Sequence, residues 1–394
     1  MNPMNNTKEE VAEKYTEDNR IIGEVQGSEN GPTLMIFAGI HGNEKAGVLA
    51  AEKVLQKIRE ENMLFRGNVH FVLGNISALN RNVRFMDADL NRIWTRDKMQ
   101  DIKNESVVLN VETKEQIGIY EILINILKSE KGPYYFLDLH TTSSPSVPFI
   151  TISDSLNNRK FSSYFPVPIV LGIEEYLEGP LLTFINDHGY ISLGFEGGQH
   201  TDPESVVNCE YFIWKSLVHS GCIEKDQVRD FQKYRDHFSK MCCKHQFFEI
   251  TYRYALEDPE EFSMYSKFQN FQPIRKDDLL ALHNGKEVRA EQSGRIFMPL
   301  YQAQGEEGYF ILKNISTFWL SLSKVLRKWK VDNILRVIPG VKQDPENNFT
   351  LIVDPKIARF LAKDIFHLFG YRQQIYRDDK LHFIKRDRKL SEMP

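Results

Sequence analysis

The sequence predicts an α/β protein, a mixed sheet flanked by helices, followed by a second, β-rich C-terminal domain and a small α+β appendage. Three observations lead there. From Ile21 to about Gly221, short apolar runs alternate with amphipathic stretches, the pattern of a sheet covered on both faces. Beyond Gly221 a charged helical stretch, Lys225 to Cys243, gives way to alternating, turn-rich pieces at Phe247 to Leu256 and Glu287 to Lys313. After Thr317, the amphipathic segments LSKVLRKWKVDNIL and PKIARFLAKDIFHLFGY precede QQIYRDDKLHFIKR, which reads as a hairpin around Asp378-Asp379. These changes of texture divide the chain into 1–225, 245–316 and 317–394.

Within the first unit, strands are predicted at Thr33 to Ala38, Val69 to Leu73, Tyr134 to His140, Pro148 to Ser153, Val167 to Leu171 and Tyr190 to Glu196. Helices are predicted between them, at Glu44 to Arg59, Glu112 to Lys128, Pro180 to His188 and Pro203 to Ser220. Asn43 and Asp202 stand where N-caps belong, with Pro203 at a first helical position.

The chain has 394 residues, 41% of them hydrophobic, enough for one large domain and smaller ones. A net charge of -4 and a pI near 6.3 give no bulk reason to expect nucleic acid or an anionic membrane as partner. Cys209, Cys222, Cys242 and Cys243 form no C-x-x-C pair, so a reducing cytoplasm is expected. The first twenty residues lack an apolar core, and no segment offers eighteen uninterrupted apolar residues. Small-molecule chemistry is what remains, with homo-oligomerisation left open.

The chemistry lies at the ends of strands. The run LMIFAGIHGNE breaks off after its apolar residues into His41 and Glu44. A His-x-x-acid pair is weak evidence, since chance supplies roughly one or two in a chain with 11 histidines and 54 carboxylates. Placement strengthens it: both residues follow a strand's carboxyl end, where open α/β sheets bind ligands, and Gly39 and Gly42 permit a sharp turn. A second buried-looking strand, YYFLDLH, ends on His140. Two imidazoles and one carboxylate with an open fourth position are the usual ligand set of a catalytic zinc. Asp138, on the same strand face as His140, could accept the other ring N–H of a ligand histidine.

Two further stretches accompany this set. NRNVRFMDADLNR, from Asn80 to Arg92, is too polar for core, and arginine forks of this kind bind carboxylates in a bidentate manner. GYISLGFEGG closes a strand on Glu196, a carboxylate positioned to take a proton from water beside a metal.

With these pieces assembled, the sequence resembles the aspartoacylase and succinylglutamate desuccinylase family, a branch of the zinc carboxypeptidase superfamily. The matching motifs are HGNE (41–44), RFMDADLNR (84–92), DLHTT (138–142) and FEGG (195–198), in the family's order, within roughly the first 220 residues. The resemblance implies a carboxypeptidase-like sheet and one zinc per chain, bound by His41, Glu44 and His140. It also implies Glu196 as general base and later acid, Arg84 as oxyanion stabiliser and Asn91 with Arg92 as the grip on a substrate carboxylate, with Asp138 and Asp89 behind the ligands. The expected reaction is hydrolysis of the amide of a small N-acyl amino acid. A metallocarboxypeptidase acting on short peptides or muropeptides, and a zinc-free binding protein on the same scaffold, are the alternatives.

One departure bears on the substrate. No Lys or Arg occurs from Phe161 through Glu196, where aspartoacylases carry a further arginine, while Glu174, Glu175 and Glu178 do occur there. The expected substrate therefore has a free carboxylate and an otherwise neutral or cationic remainder. A basic residue entering from the second domain, such as Arg275, Lys276 or Arg289, would reverse that expectation.

Overall fold

The computed structural model describes residues 16, 19–229, 231–241, 246–256, 261–354, 362–377 and 379–387. Along the chain, β1 (Ile21–Gln26) and β2 (Glu29–Ala38) lead through α1 (Ala46–Glu61) to β3 (Arg66–Leu73). Helices α2 (Ile76–Arg81), α3 (Arg96–Lys103) and α4 (Val111–Ser129) precede β4 (Tyr134–Thr142). Then come β5 (Phe149–Ile152), α5 (Leu156–Ser162), β6 (Ile169–Leu171), α6 (Leu181–Asp187), β7 (Ile191–Gln199) and α7 (Glu204–Ser220). Helix α8 (Phe231–Met241) is followed by β8 (Phe247–Ala255), β9 (Phe262–Met264), β10 (Pro273–Ile274), β11 (Leu279–His283), β12 (Lys286–Arg289), β13 (Gly294–Phe297) and β14 (Glu307–Ile315). The C-terminal part contains α9 (Thr317–Trp329), β15 (Val341–Gln343), β16 (Thr350–Val353), α10 (Ala362–Leu368), β17 (Tyr371–Arg377) and β18 (Lys380–Lys385).

The sheet is mixed and helix-flanked, as the sequence predicts. Its eleven strands run β1-β3-β2-β4-β7-β5-β6-β8-β14-β13-β10, with parallel pairing through β3, β2, β4 and β7. Strands β8, β14, β13 and β10 extend this same sheet, so the turn-rich region is continuous with it; three further strands form the separate sheet β12-β11-β9. The C-terminal strands form a four-stranded antiparallel sheet, β15-β16-β18-β17, which contains the hairpin expected near Asp379. Asp378, Cys242, Cys243 and the first part of the second amphipathic segment, 355–361, lie outside the described residues.

Strand β2 shows why the core forms here. Leu34, Ile36 and Ala38 enter the cluster on one face, Met35 and Phe37 that on the other, so a continuous apolar run becomes a two-sided buried strand. The chain then has to turn. Gly39 does so at φ +72, where L side chains are strained, and Gly42 runs so close to α2 that an added Cβ would meet the Ala78 backbone at 2.1 Å.

One cap expectation needs correction. Helix α1 begins at Ala46, two residues after Glu44, and Asn43 does not cap it; the Asn43 amide instead donates to Gln302 Oε1 at 3.0 Å. Its tight His41–Glu44 turn frees Glu44 from the helix and turns its carboxylate toward two histidines. Asp202 does accept the Glu204 N–H at 2.9 Å, although α7 is regular only from Glu204. On α4, Asn110 caps by accepting from Thr113 N at 2.8 Å.

Candidate active site

Strands β2, β4 and β7 are neighbours, and their carboxyl ends open on one pocket. His41 follows β2, His140 lies near the end of β4, and Glu196 pairs in register with His140 from β7. His41, Glu44 and His140 are buried, and one ligand atom of each lies within 4.8 Å of the others. Glu44 is the centre: Oε1 is 2.8 Å from His41 Nδ1, and Oε2 is 3.0 Å from His140 Nδ1 and accepts the Thr141 N–H at 2.9 Å. Burial opposes its ionisation, but the two imidazoles outweigh that and hold its carboxyl well below the usual range.

Each histidine is oriented from behind. His140 Nε2 lies 2.7 Å from Asp138 Oδ2, and His41 Nε2 lies 3.1 Å from Asp89 Oδ1. With those nitrogens donating, both Nδ1 lone pairs point at a carboxylate, an arrangement that a cation between them completes. The donor set, two nitrogens and one carboxylate oxygen, suits zinc.

Glu196 is buried in the same pocket, and its Oε2 has no hydrogen-bond partner. Burial pushes its carboxyl up to about 8; His140 and Arg84 oppose this, while Glu44 and Asp138 add to it. Arg84 reaches Asp89 Oδ2 through Nη2 at 2.9 Å and Nε at 3.2 Å, with Nη1 3.5 Å from Glu44. Asp89 thus braces a histidine with one oxygen and an arginine with the other. The loop holding them is anchored by buried Glu112, whose carboxylate accepts the N–H groups of Met86, Asp87 and Ala88 at 2.6, 2.9 and 3.1 Å.

Asn91 and Arg92 also line the pocket, already engaged. Asn91 Oδ1 accepts the Leu181 N–H at 3.0 Å, and Arg92 Nη2 lies 3.1 Å from Glu307, a carboxylate shared with Arg253 at 3.0 Å. Glu307 lies 215 positions from Arg92, and no local spacing announces it. The turn 298–307 brings further residues that the motifs do not reveal: Gln302 accepts from Asn43 and meets His200 Nε2 at 3.1 Å, while Gln304 accepts the Arg84 N–H at 3.1 Å. Arg275, Lys276 and Arg289 are not among the pocket's lining residues. The charge expected from Glu174 and Glu175 needs correction, because both side chains turn outward to His367, Lys363, Arg372 and Arg386.

Residues 30–169 match the Succinylglutamate desuccinylase/Aspartoacylase catalytic domain. That stretch carries His41, Glu44 and His140. Over 78 residues it is 35% identical to a succinylglutamate desuccinylase of Pseudomonas paraeruginosa, a match spanning 20% of this chain and only 24% of that enzyme. A Pseudoalteromonas atlantica succinylglutamate desuccinylase is 22% identical over 281 residues, 66% of this chain and 75% of its own. The solved succinylglutamate desuccinylase/aspartoacylase of Rhodobacter sphaeroides is similar in fold, with a TM-score of 0.55 at 15% identity over 74% of this chain and 88% of that one. The chain beyond residue 169, with Glu196 and the C-terminal sheets, therefore lies outside the catalytic-domain match.

Proposed function

We propose that the chain is a zinc-dependent amidohydrolase that cleaves the amide of a small N-acyl amino acid bearing a free carboxylate. The observation that carries this reading is the buried His41–Glu44–His140 cluster with the unpartnered Glu196 carboxylate in the same pocket. Zinc held by His41, Glu44 and His140 would supply Lewis acidity toward the carbonyl and make water a stronger acid. Glu196, buried in the same pocket with Oε2 unpaired, accepts the proton of the attacking water and returns it to the departing amine. Arg84, aligned by Asp89, faces the negative charge that develops on the carbonyl oxygen. Asp138 and Asp89 keep the imidazoles turned toward the metal position.

Asn91 and Arg92 provide the carboxylate grip, with Glu307 as the internal anion that a substrate carboxylate joins or displaces on the guanidinium. The turn 298–307, tied to Asn43 and Arg84, lines the pocket and favours a small substrate over a peptide. The test is elemental analysis of the purified chain together with amine release from a panel of N-acyl amino acids and dipeptides. One zinc per chain and turnover of acyl amino acids support the reading; turnover confined to dipeptides overturns it.

A further inference from the structure

The pocket extends from the charged cluster onto a wall built by residues 151–153 and 173–183. The wall's side chains there include Ile152, Ile173, Leu177 and Leu182, and none of its lining residues is charged. Yet the same two segments and their flanks contain four acids, Asp154, Glu174, Glu175 and Glu178. Glu178 is exposed, and the other three face the C-terminal appendage, residues 317–394.

The appendage meets them with buried cations. Asp154 receives Arg327 from α9 at 2.9 Å and Arg372 from β17 at 2.6 Å, beside its own neighbour Arg159. Glu175 lies 2.7 Å from His367 and 3.1 Å from Lys363, and Glu174 is 3.6 Å from Arg386 while accepting the Asp154 N–H. Arg386 also reaches Asp187, at the end of α6, at 2.6 Å. Without these partners, Asp154 would keep only Arg159 and the buried carboxylates of Glu174 and Glu175 would lose their cations, a state that costs enough to drive them toward water. The pocket is the adjoining wet space, so the wall would become both anionic and mobile.

We propose that the pocket accepts a substrate whose second group is uncharged and apolar, and that the appendage sets this specificity by drawing Asp154, Glu174 and Glu175 out of the wall. This rests on the amide-hydrolase reading. Arg372 is then a positioning residue: it touches no substrate and holds both wall segments at once.

The experiment uses the full chain loaded with zinc and measures amine release from N-acetylleucine, N-acetylaspartate and N-acetyllysine. Acetylleucine is expected to show a kcat/KM at least tenfold above either competitor. Leu177→Arg, which leaves the ion-pair network intact, is expected to move the preference at least tenfold toward acetylaspartate. Arg372→Met is expected to raise KM for acetylleucine more than it lowers kcat and to speed amide hydrogen exchange across 173–183, with Arg372→Lys recovering part of the protection. Acetylaspartate or acetyllysine as the best wild-type substrate, an unchanged ratio in Leu177→Arg, or wild-type exchange in Arg372→Met each overturns the proposal. If none of the three is hydrolysed, the reaction reading is decided on the wider N-acyl panel, and calorimetry with leucine, aspartate and lysine decides the pocket. Leucine binding tightest upholds the apolar wall, and any other order, or no leucine binding, overturns it.

Discussion

Glu196 Oε2 is buried without a hydrogen-bond partner, whereas Glu44 and Asp89 have both oxygens engaged and Asp138, with Oδ1 unpaired, is fixed on His140 through Oδ2. That difference separates a base from ligands and braces. Glu196→Gln is expected to keep stoichiometric zinc while kcat falls at least about 10²-fold, the lower end of general-base contributions; turnover near wild type would remove Glu196 from this role. His140→Ala and His41→Ala are expected to fail in the opposite way, losing the metal itself, because Glu44 and one imidazole leave a cation underbound. Elemental analysis reads that directly, and chelation of the wild type should inactivate it reversibly. Arg92→Lys should raise KM more than it lowers kcat, since a point charge replaces a planar fork that grips ground state and transition state alike.

At the scale of elements, the loop between α2 and α3 is shaped from α4. Glu112 stands in the first turn of α4 and gathers three backbone N–H groups of the 86–88 segment, with the Asn75 amide donating to the same carboxylate. A helix's first turn thus serves as the mould for the loop carrying Arg84 and Asp89. Glu112→Gln places an amide donor among donors, with an expected stability loss of about 1–3 kcal/mol in urea denaturation. Arg84 should shift with the loop, so kcat should fall although Glu112 touches no substrate. A stability loss with unchanged kcat would mean that the loop holds its shape without this anchor.

Across the whole molecule, buried ion pairs join the appendage to the central sheet's domain, and this makes its stability depend on acid. Burial opposes ionisation of Asp154, but Arg159, Arg327 and Arg372 hold its carboxyl well below the usual range, and His367, Arg372 and Lys363 do the same for Glu175. A carboxyl depressed in the folded state contributes stability that is present above its unfolded pKa, about 3.9 for Asp and 4.3 for Glu, and lost as pH falls toward the folded value. Unfolding monitored against pH should therefore show stability steady from neutrality to about pH 5 as far as Asp154 and Glu175 are concerned, then declining below about pH 4. Asp154→Asn should be less stable at pH 7, with three guanidiniums left short of an anion, and should lose less between pH 4 and 2 than the wild type. Equal acid sensitivity in both proteins would show that the network does not govern this decline.

The sequence by itself determined the alternating α/β layout, the two-faced burial of β2, and the delivery of His41, Glu44, His140 and Glu196 to strand ends. Those features follow from local periodicity and from glycines at a turn, both written in adjacent residues. Tertiary structure decided which charges meet. Glu174 and Glu175 read as pocket acids in the sequence yet turn to an appendage about two hundred residues away, and Arg92 is held by Glu307 across a comparable separation. The early strand β1 and the joining of β8 and β14 to the central sheet are likewise decisions of pairing. A charge's partner and a strand's neighbour are chosen by proximity in the folded chain, where burial makes an unpaired ion or backbone group costly, and residue spacing carries no record of that choice.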